Sequence, residues 1–240
     1  YLKELTRDTG IEDMITVGEM SSTSLENCIR YSGRKEKELS MCFNFHHLKV
    51  DYKDGDKWTL MEPDRIALKK LFETWQMGMQ DGDGWNALFW CNHDQPRVVS
   101  RMGNEDLYWK ESAKMLAAAI HMMRGTPYVY QGEELGMTNA HYTDISQYRD
   151  VESLNYYEIL LSQGKTKEEA LKILASKSRD NSRTPMQWSA EKNAGFSDAD
   201  PWLGVPENYK EINAEKETKE TDSIYSFYRR LIELRKESNF

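Results

Sequence analysis

The apolar residues of this 240-residue chain follow two alternating rhythms, short runs closed by turn residues and longer stretches with a helical repeat. Met14-Ile15-Thr16-Val17 is a short apolar run ending at Gly18-Glu19. Leu39, Met41, Phe43 and Phe45 alternate as one face of a strand would, ending at His46-His47. Trp85 to Cys91 is apolar almost throughout, which predicts a strand buried on both faces, and Tyr128-Val129-Tyr130 predicts a fourth. Between them lie helical patterns. Thr23-Ser24-Leu25-Glu26 reads as a capping box, with Leu25, Cys28 and Ile29 on one face behind it. Pro63 can open a helix that carries Ile66, Leu71, Phe72 and Trp75 along its core side. Residues 107–123 place Ala113, Leu116, Ala117 and Ile120 on one stripe, closed by Gly125-Thr126-Pro127. Thr166-Lys167-Glu168-Glu169 is a second capping box, ahead of Ala170, Leu171 and Leu174. Ile224, Phe227, Tyr228 and Leu231 mark a last helix.

Strand and helix therefore alternate four times before extra helices follow. That order predicts an α/β fold with parallel strands and right-handed crossovers. Parallel strands present their carboxyl ends together, where α/β proteins build their sites. All four runs end in polar residues: Glu19, His46-His47, Asn92-His93-Asp94-Gln95-Pro96-Arg97, and Gln131 with Glu133. Glu19 and Asp94 are the acid–base candidates, since two carboxyl groups facing one cavity suit glycosidic bond cleavage. The lesser alternative for Glu19 is a cap on the following helix, with Ser21, Ser22 and Thr23 beside it. Adjacent His46 and His47 leave a strand on opposite faces, which disfavours a two-histidine metal site. Arg179 to Trp188 is a second dense packet. Its arginines and Asn181 offer donors for sugar hydroxyls, and the same residues suit a loop held by an Arg–Asp ion pair. Trp188 suits either a sugar face or a core plug.

Charge narrows the classes. A net charge of -8 leaves no basic surplus to displace counterions, so nucleic acid is not an expected partner. No apolar stretch approaches the ~18 residues of a membrane span. The three cysteines, Cys28, Cys42 and Cys91, have no metal-like spacing, and Cys42 and Cys91 sit in apolar runs, so a reducing, cytoplasmic setting is expected. Residues 193–221, rich in Gly, Pro, Asp and Glu, predict a long surface loop or small excursion, and the charge run 211–222 a solvated surface.

Thr16-Val17-Gly18-Glu19-Met20, Asn92 to Arg97, Tyr130-Gln131-Gly132-Glu133-Glu134-Leu135-Gly136-Met137 and Arg179 to Trp188 together resemble the oligosaccharide α-glucosidase branch of the α-amylase superfamily. The resemblance runs over essentially the whole chain. Within that branch, Phe43 to Tyr52 and Leu171 to Ser178 are most similar to the trehalose-6-phosphate hydrolases, with dextran glucosidases and oligo-1,6-glucosidases close behind.

The resemblance implies a (β/α)8 TIM barrel of which this chain is the C-terminal half, strands five to eight, with additional helices. Residues 1–240 would then be part of a catalytic domain lacking its N-terminal half and a C-terminal β-sandwich. It implies retaining hydrolysis of an α-glucosidic bond, with Glu19 as general acid/base and Asp94 as the carboxylate that stabilises the transition state. His93 lies beside Asp94, Arg183 matches the arginine that binds the nonreducing glucose, and Arg97 is expected to line the pocket. The family nucleophile, an Asp in a Gly-Phe-Arg-x-Asp-like motif, has no counterpart in this sequence. Residue spacing alone pairs Glu19 with Asp94 as the two catalytic carboxylates, whereas the resemblance makes Asp94 an electrostatic helper. Lys49, with Lys57, is the candidate for a substrate phosphate. No metal or organic cofactor is implied at the site, although some relatives bind a structural calcium ion elsewhere. The expected ligand is a small sugar, phosphorylated or not, and a half barrel alone is expected to be inactive and to self-associate, to pair with its other half, or to stay stable only because its helices re-cover the gap. The competing class is a non-catalytic interaction protein on the same scaffold.

Overall fold

The structure, a computed structural model, describes residues 4, 8–10, 14–36 and 38–238. The chain divides into two compact units, one of residues 1–55, 62–89 and 122–128 and one of residues 56–61, 90–121 and 129–240.

The first unit is built on a parallel sheet. Strands β1 (Val17–Met20), β2 (Met41–Asn44), β3 (Asn86–Leu88) and β4 (Thr126–Pro127) lie side by side in sequence order. The register sets Gly18 against Cys42, Phe43 against Ala87, and Ala87 against Thr126. Parallel neighbours need long crossovers. Helix α1 (Leu25–Ser32) supplies the first and α2 (Arg65–Asp81) the second. Ser24 rather than Thr23 caps α1, accepting from Asn27 N, and Asp64 caps α2, accepting from Ile66 N and Ala67 N. Cys28, Cys42, Trp75 and Met79 form the core between sheet and helices, with Leu25, Ile29 and Leu71 against it. Side chains alternate along a strand, so Phe43 turns to the other face. There it meets Phe89 and Tyr128 edge-on, with ring centroids 5.0 and 4.6 Å away. Four parallel strands in consecutive order are what half of a (β/α)8 barrel requires.

Other sequence expectations also fail in this unit. Ile66 is 66% exposed instead of lining the core. At about 100° per residue it stands roughly 180° around the helix from Trp75, off the buried stripe. The fourth strand lies at Thr126–Pro127, two residues before the apolar triplet 128–130, and Val129 is exposed. Proline cannot donate to a ladder, so it reads as a stop, but β4 is an edge of this sheet and tolerates it. Tyr128 N still donates to Leu88 O at 2.7 Å. The run at β3 is buried from Asn86 to Cys91, yet only three residues of it join the ladder. Apolarity reported burial there, not pairing.

The second unit is helical. It contains α3 (Val98–Met102), α4 (Trp109–His121), α5 (Val151–Ser162), α6 (Lys167–Lys177), α7 (Asp180–Arg183), α8 (Ala214–Lys219) and α9 (Ile224–Glu237). The stripe Ala113–Ala117 of α4 packs with Val99 and with Ile224, Tyr228 and Leu231 of α9. Helices α5 and α6 close over Trp58, Tyr142, Tyr148, Tyr157 and Leu174, and the capping box of Thr166 and Glu169 starts α6. Residues 193–221 hold two short 3-10 turns and α8. Within the charge run, Glu217 departs from a solvated surface: it is buried, and its carboxylate accepts from Ile224 N and Tyr225 N at 2.8 and 3.2 Å. It thereby satisfies the open amides at the start of α9.

Gly125 turns the chain from α4 into β4 at φ 144°, a backbone conformation that L side chains avoid. A Cβ there would stand 2.6 Å from the backbone oxygen of Asn86, the first residue of β3. Gly125→Ala is expected to destabilise the protein by about 1–3 kcal/mol, read as a lower urea midpoint at unchanged slope.

Candidate active site

Loop 92–97 of the second unit is shaped by its own residues. Asn92 Oδ1 accepts from Asp94 N at 2.8 Å, and Gln95 N donates to Asn92 O at 3.3 Å, which closes a tight Asx-type turn. The loop is then fastened, residue against residue, to the packet at α7. Arg183 Nε donates to His93 O at 2.9 Å and Arg183 Nη2 to Asp94 Oδ1 at 2.6 Å. Ser182 Oγ donates to Gln95 O and lies 3.3 Å from Cys91 Sγ. Arg97 Nε donates to Asn181 O at 3.2 Å. Three consecutive residues, 181–183, thus hold the loop that carries Asp94.

Arg97 is 2% exposed. Besides Asn181 O, its guanidinium reaches Gln131 O at 2.6 Å, and its backbone N–H donates to Asn139 Oδ1 at 2.9 Å. Arg97, expected to line the pocket, is a buried brace joining three segments. His93 is exposed, with Nε2 3.5 Å from Asp94 Oδ2.

Around Asp94 the charges balance. Arg179 Nη1 lies 3.6 Å from Asp94, and Arg179 Nε lies 2.7 Å from Glu152. Arg183 Nη1 lies 3.5 Å from Asp150, and Lys57 Nζ lies 2.8 Å from Glu152. Burial pushes the Asp94 carboxyl up. The Arg183 hydrogen bond and the charges of His93 and Arg179 outweigh it and hold Asp94 below the usual carboxylate range. Asp94 is therefore an anion with two guanidinium groups at Oδ1, suited to opposing positive charge and not to donating a proton. The ion-paired reading of the packet holds: Arg179 and Arg183 pair with Asp94 and Asp150. Lys57 is already matched by Glu152 and stands over Trp58 at 4.7 Å, so it is not a free phosphate ligand. Trp188 is 51% exposed, which removes the core-plug reading.

Residues after β4 supply a second carboxyl that the sequence placed only loosely. Gly132, at φ 87°, starts the single 3-10 turn Glu133–Leu135. A Cβ on Gly132 would meet Met137 Sδ at 2.3 Å and Arg97 Nη1 at 3.0 Å, so only glycine lets this turn press against the brace. Glu133 is turned inward, 8% exposed, and accepts from Tyr228 Oη at 3.0 Å. Burial is the main cause that pushes its carboxyl up to about 7, with Glu134 adding to it and Tyr228 and Arg97 opposing.

Glu19 and Lys49 belong to the first unit. Glu19 is the third residue of β1, paired in register with Phe43, and its side chain is exposed. Lys49 ends the 3-10 turn His46–Lys49 that follows β2, and its ammonium reaches back to Ser21 O at 3.5 Å. Both therefore sit toward the carboxyl ends of their strands. The paired histidines diverge as expected. His47 is buried with Nε2 2.8 Å from Phe89 O, while His46 lies against Trp75 with ring centroids 5.1 Å apart. Among the described residues no group of three or more His, Cys, Asp and Glu side chains is gathered as a metal ion requires. Asp150 and Glu152 were missed by sequence reasoning. Asp150 had a signal, since it caps α5 by accepting from Ser153 N. Glu152 is an ordinary first-turn acid with nothing to mark it.

Two outcomes follow from these charges. Arg183→Met should raise the Asp94 carboxyl toward the ordinary range, read from its carbon chemical shift against pH. Because the folded value is depressed, the pair's contribution is complete above the unfolded carboxylate range and is lost as pH falls through the folded value. Glu133 has the opposite sign. Its folded pKa lies above the unfolded one, so stability should fall by roughly 3 kcal/mol as pH rises from about 4.5 to about 7. Glu133→Gln should flatten that slope in denaturant titrations at stepped pH.

The comparisons with known proteins give this geometry a context. The chain matches the family described as alpha amylase, catalytic domain, over residues 1–240. It is 58% identical over 238 residues to the trehalose-6-phosphate hydrolase of Escherichia coli (strain K12), covering 99% of this chain and 43% of that protein. It is 47% identical over 238 residues to the oligo-1,6-glucosidase of Bacillus cereus, covering 98% of this chain and 42% of that protein. The crystal structure of Bacillus licheniformis trehalose-6-phosphate hydrolase superposes with a TM-score of 0.96 at 59% identity, over 99% of this chain and 43% of that one. The isomaltulose synthase of Erwinia rhapontici NX5 superposes with a TM-score of 0.88 at 36% identity, over 99% and 43%. The chain thus spans less than half the length of these relatives. With every residue inside the family match and four parallel strands in consecutive order, the chain belongs to the α-amylase family as part of its catalytic domain.

Proposed function

We propose that this chain carries part of the active site of a retaining α-glucosidase that hydrolyses trehalose-6-phosphate to glucose and glucose-6-phosphate. The observation that carries the reading is the Arg183–Asp94 pair at 2.6 Å, hung on the 92–97 loop in a chain 58% identical to a trehalose-6-phosphate hydrolase. In this reading Glu19 protonates the leaving glycosidic oxygen while a nucleophilic carboxylate from outside this sequence attacks the anomeric carbon. The glucosyl ester so formed is then cleaved by a water that Glu19 deprotonates. Asp94, kept anionic by its cations, faces the positive charge that grows on the sugar. Arg183 spends Nε and one Nη2 donor on the loop, leaving guanidinium N–H groups for sugar hydroxyls, with His93 exposed beside them. Lys49 offers the ammonium for the substrate phosphate. Three buried, unpaired cysteines suit a reducing cytoplasm.

Oligo-1,6-glucosidase activity is the second reading, favoured by the 47% identity to the Bacillus cereus enzyme. Assay of the full-length parent on trehalose-6-phosphate and on isomaltose separates the two. Faster turnover of the phosphorylated disaccharide is expected, and a preference for isomaltose would overturn the assignment. Lys49→Ala in that parent should raise KM for trehalose-6-phosphate about ten-fold or more and spare an uncharged glucoside. Equal loss on both would remove Lys49 from phosphate recognition. The 240-residue chain alone, lacking the nucleophile motif and with β1 and β4 as open sheet edges, should show no hydrolysis and should self-associate in sedimentation velocity.

A further inference from the structure

A small cavity in the second unit lies among Cys91, Arg97, Val99, Ala113, Glu133 and Tyr228, with about 10 Å³ open to the centre of a water molecule. That is close to the space one water needs. Two of its lining residues carry a fully buried polar atom without a hydrogen-bond partner in the chain, Arg97 Nη2 and Glu133 Oε2. Each has its other atoms engaged, Arg97 through Nε and Nη1 with backbone oxygens and Glu133 through Oε1 with Tyr228. A cavity lined by one residue whose guanidinium N–H lacks an acceptor and by another whose carboxyl oxygen lacks a partner calls for a ligand that accepts from the first and bonds to the second. A buried water commonly sits where two or more otherwise unpaired polar groups line a one-water space.

We propose that this cavity is a binding site for one structural water, and that Tyr228–Glu133–water–Arg97 is a buried chain of hydrogen bonds that fixes the Arg97 brace. Glu133 and Tyr228 are then positioning residues. They touch neither Asp94 nor Arg183, but they set the guanidinium to which Asn181 O and Gln131 O are tied, two residues from Arg183 and in the same segment as Ser182. The groups around Glu133 are consistent with such a chain. Arg97 is the nearby cation, Glu134 is the nearby acid, Tyr228 and Cys91 are neutral, and the carboxyl raised to about 7 can act as donor or acceptor toward the water. The inference needs no assumption about substrate.

A crystal structure resolving ordered solvent is the first test. Density for a single water within hydrogen-bond distance of both Arg97 Nη2 and Glu133 Oε2 is expected. A dry cavity, or a direct Arg97–Glu133 ion pair filling it, would overturn the proposal. The second test compares Glu133→Gln, which keeps the acceptor and donor capacity, with Glu133→Leu, which removes it. The readout is the titration of the Asp94 carboxyl by NMR. Glu133→Gln should leave that titration in place, and Glu133→Leu should shift it upward as Arg183 loses its fixed position. A Glu133→Leu protein that folds and keeps the wild-type Asp94 titration contradicts the positioning role. If Glu133→Leu does not fold, the water in the wild-type and Glu133→Gln structures decides.

Discussion

The buried guanidinium of Arg97 is the constraint on which the site in the second unit depends. A charge taken out of water is costly unless its hydrogen bonds are made inside the protein. Arg97, 2% exposed, makes two of them, from Nε to Asn181 O and from Nη1 to Gln131 O. Those carbonyls belong to segments far apart in sequence, so satisfying one side chain obliges the loop after β3, the turn after β4 and helix α7 to meet. Once they meet, the Ser182 and Arg183 contacts to residues 93–95 follow over a few residues of chain. A lysine would not serve, because its point charge cannot bond two carbonyls at fixed angles from a planar fork.

The same network sets the chemistry. Lys57, Arg179 and Arg183 stand against Asp94, Asp150 and Glu152, three cations to three anions. Asp94 gains two cationic neighbours without any net positive excess in the cluster. An anionic ligand group would therefore find no spare charge in this cluster, and its cation must come from elsewhere or displace an acid. Neighbours also distinguish Asp94 from Glu133. Asp94 is held anionic by its partners, while Glu133 is pushed toward its neutral form by burial.

Much of the fold was legible because burial and period coincide. The helical stripes at Ala113–Ala117 and Ile224–Leu231 and the capping box at Thr166 read correctly, since each is a local rule with a local cause. Strand bounds were less legible. The run 85–91 is buried nearly throughout but pairs over three residues, and Pro127 in an edge strand looks like a terminator. In the site, the residue types of the loop and of packet 179–188 pointed to ion pairing and to sugar binding alike, and the structure has the ion pairs. The role of Arg97 was not legible, because nothing in the order Gln95-Pro96-Arg97 tells an exposed fork from a buried one. Only tertiary contacts from residues 131, 139 and 181 decide it.

Hydrogen exchange of Arg97→Met against the parent sequence tests the central dependence most directly, with amides of α1 and α2 as the internal reference. If Arg97 joins the segments, amides of 93–97 and 181–184 should lose protection together, while the reference helices keep theirs. Loss confined to one of the two segments, or unchanged protection in both, would contradict the account.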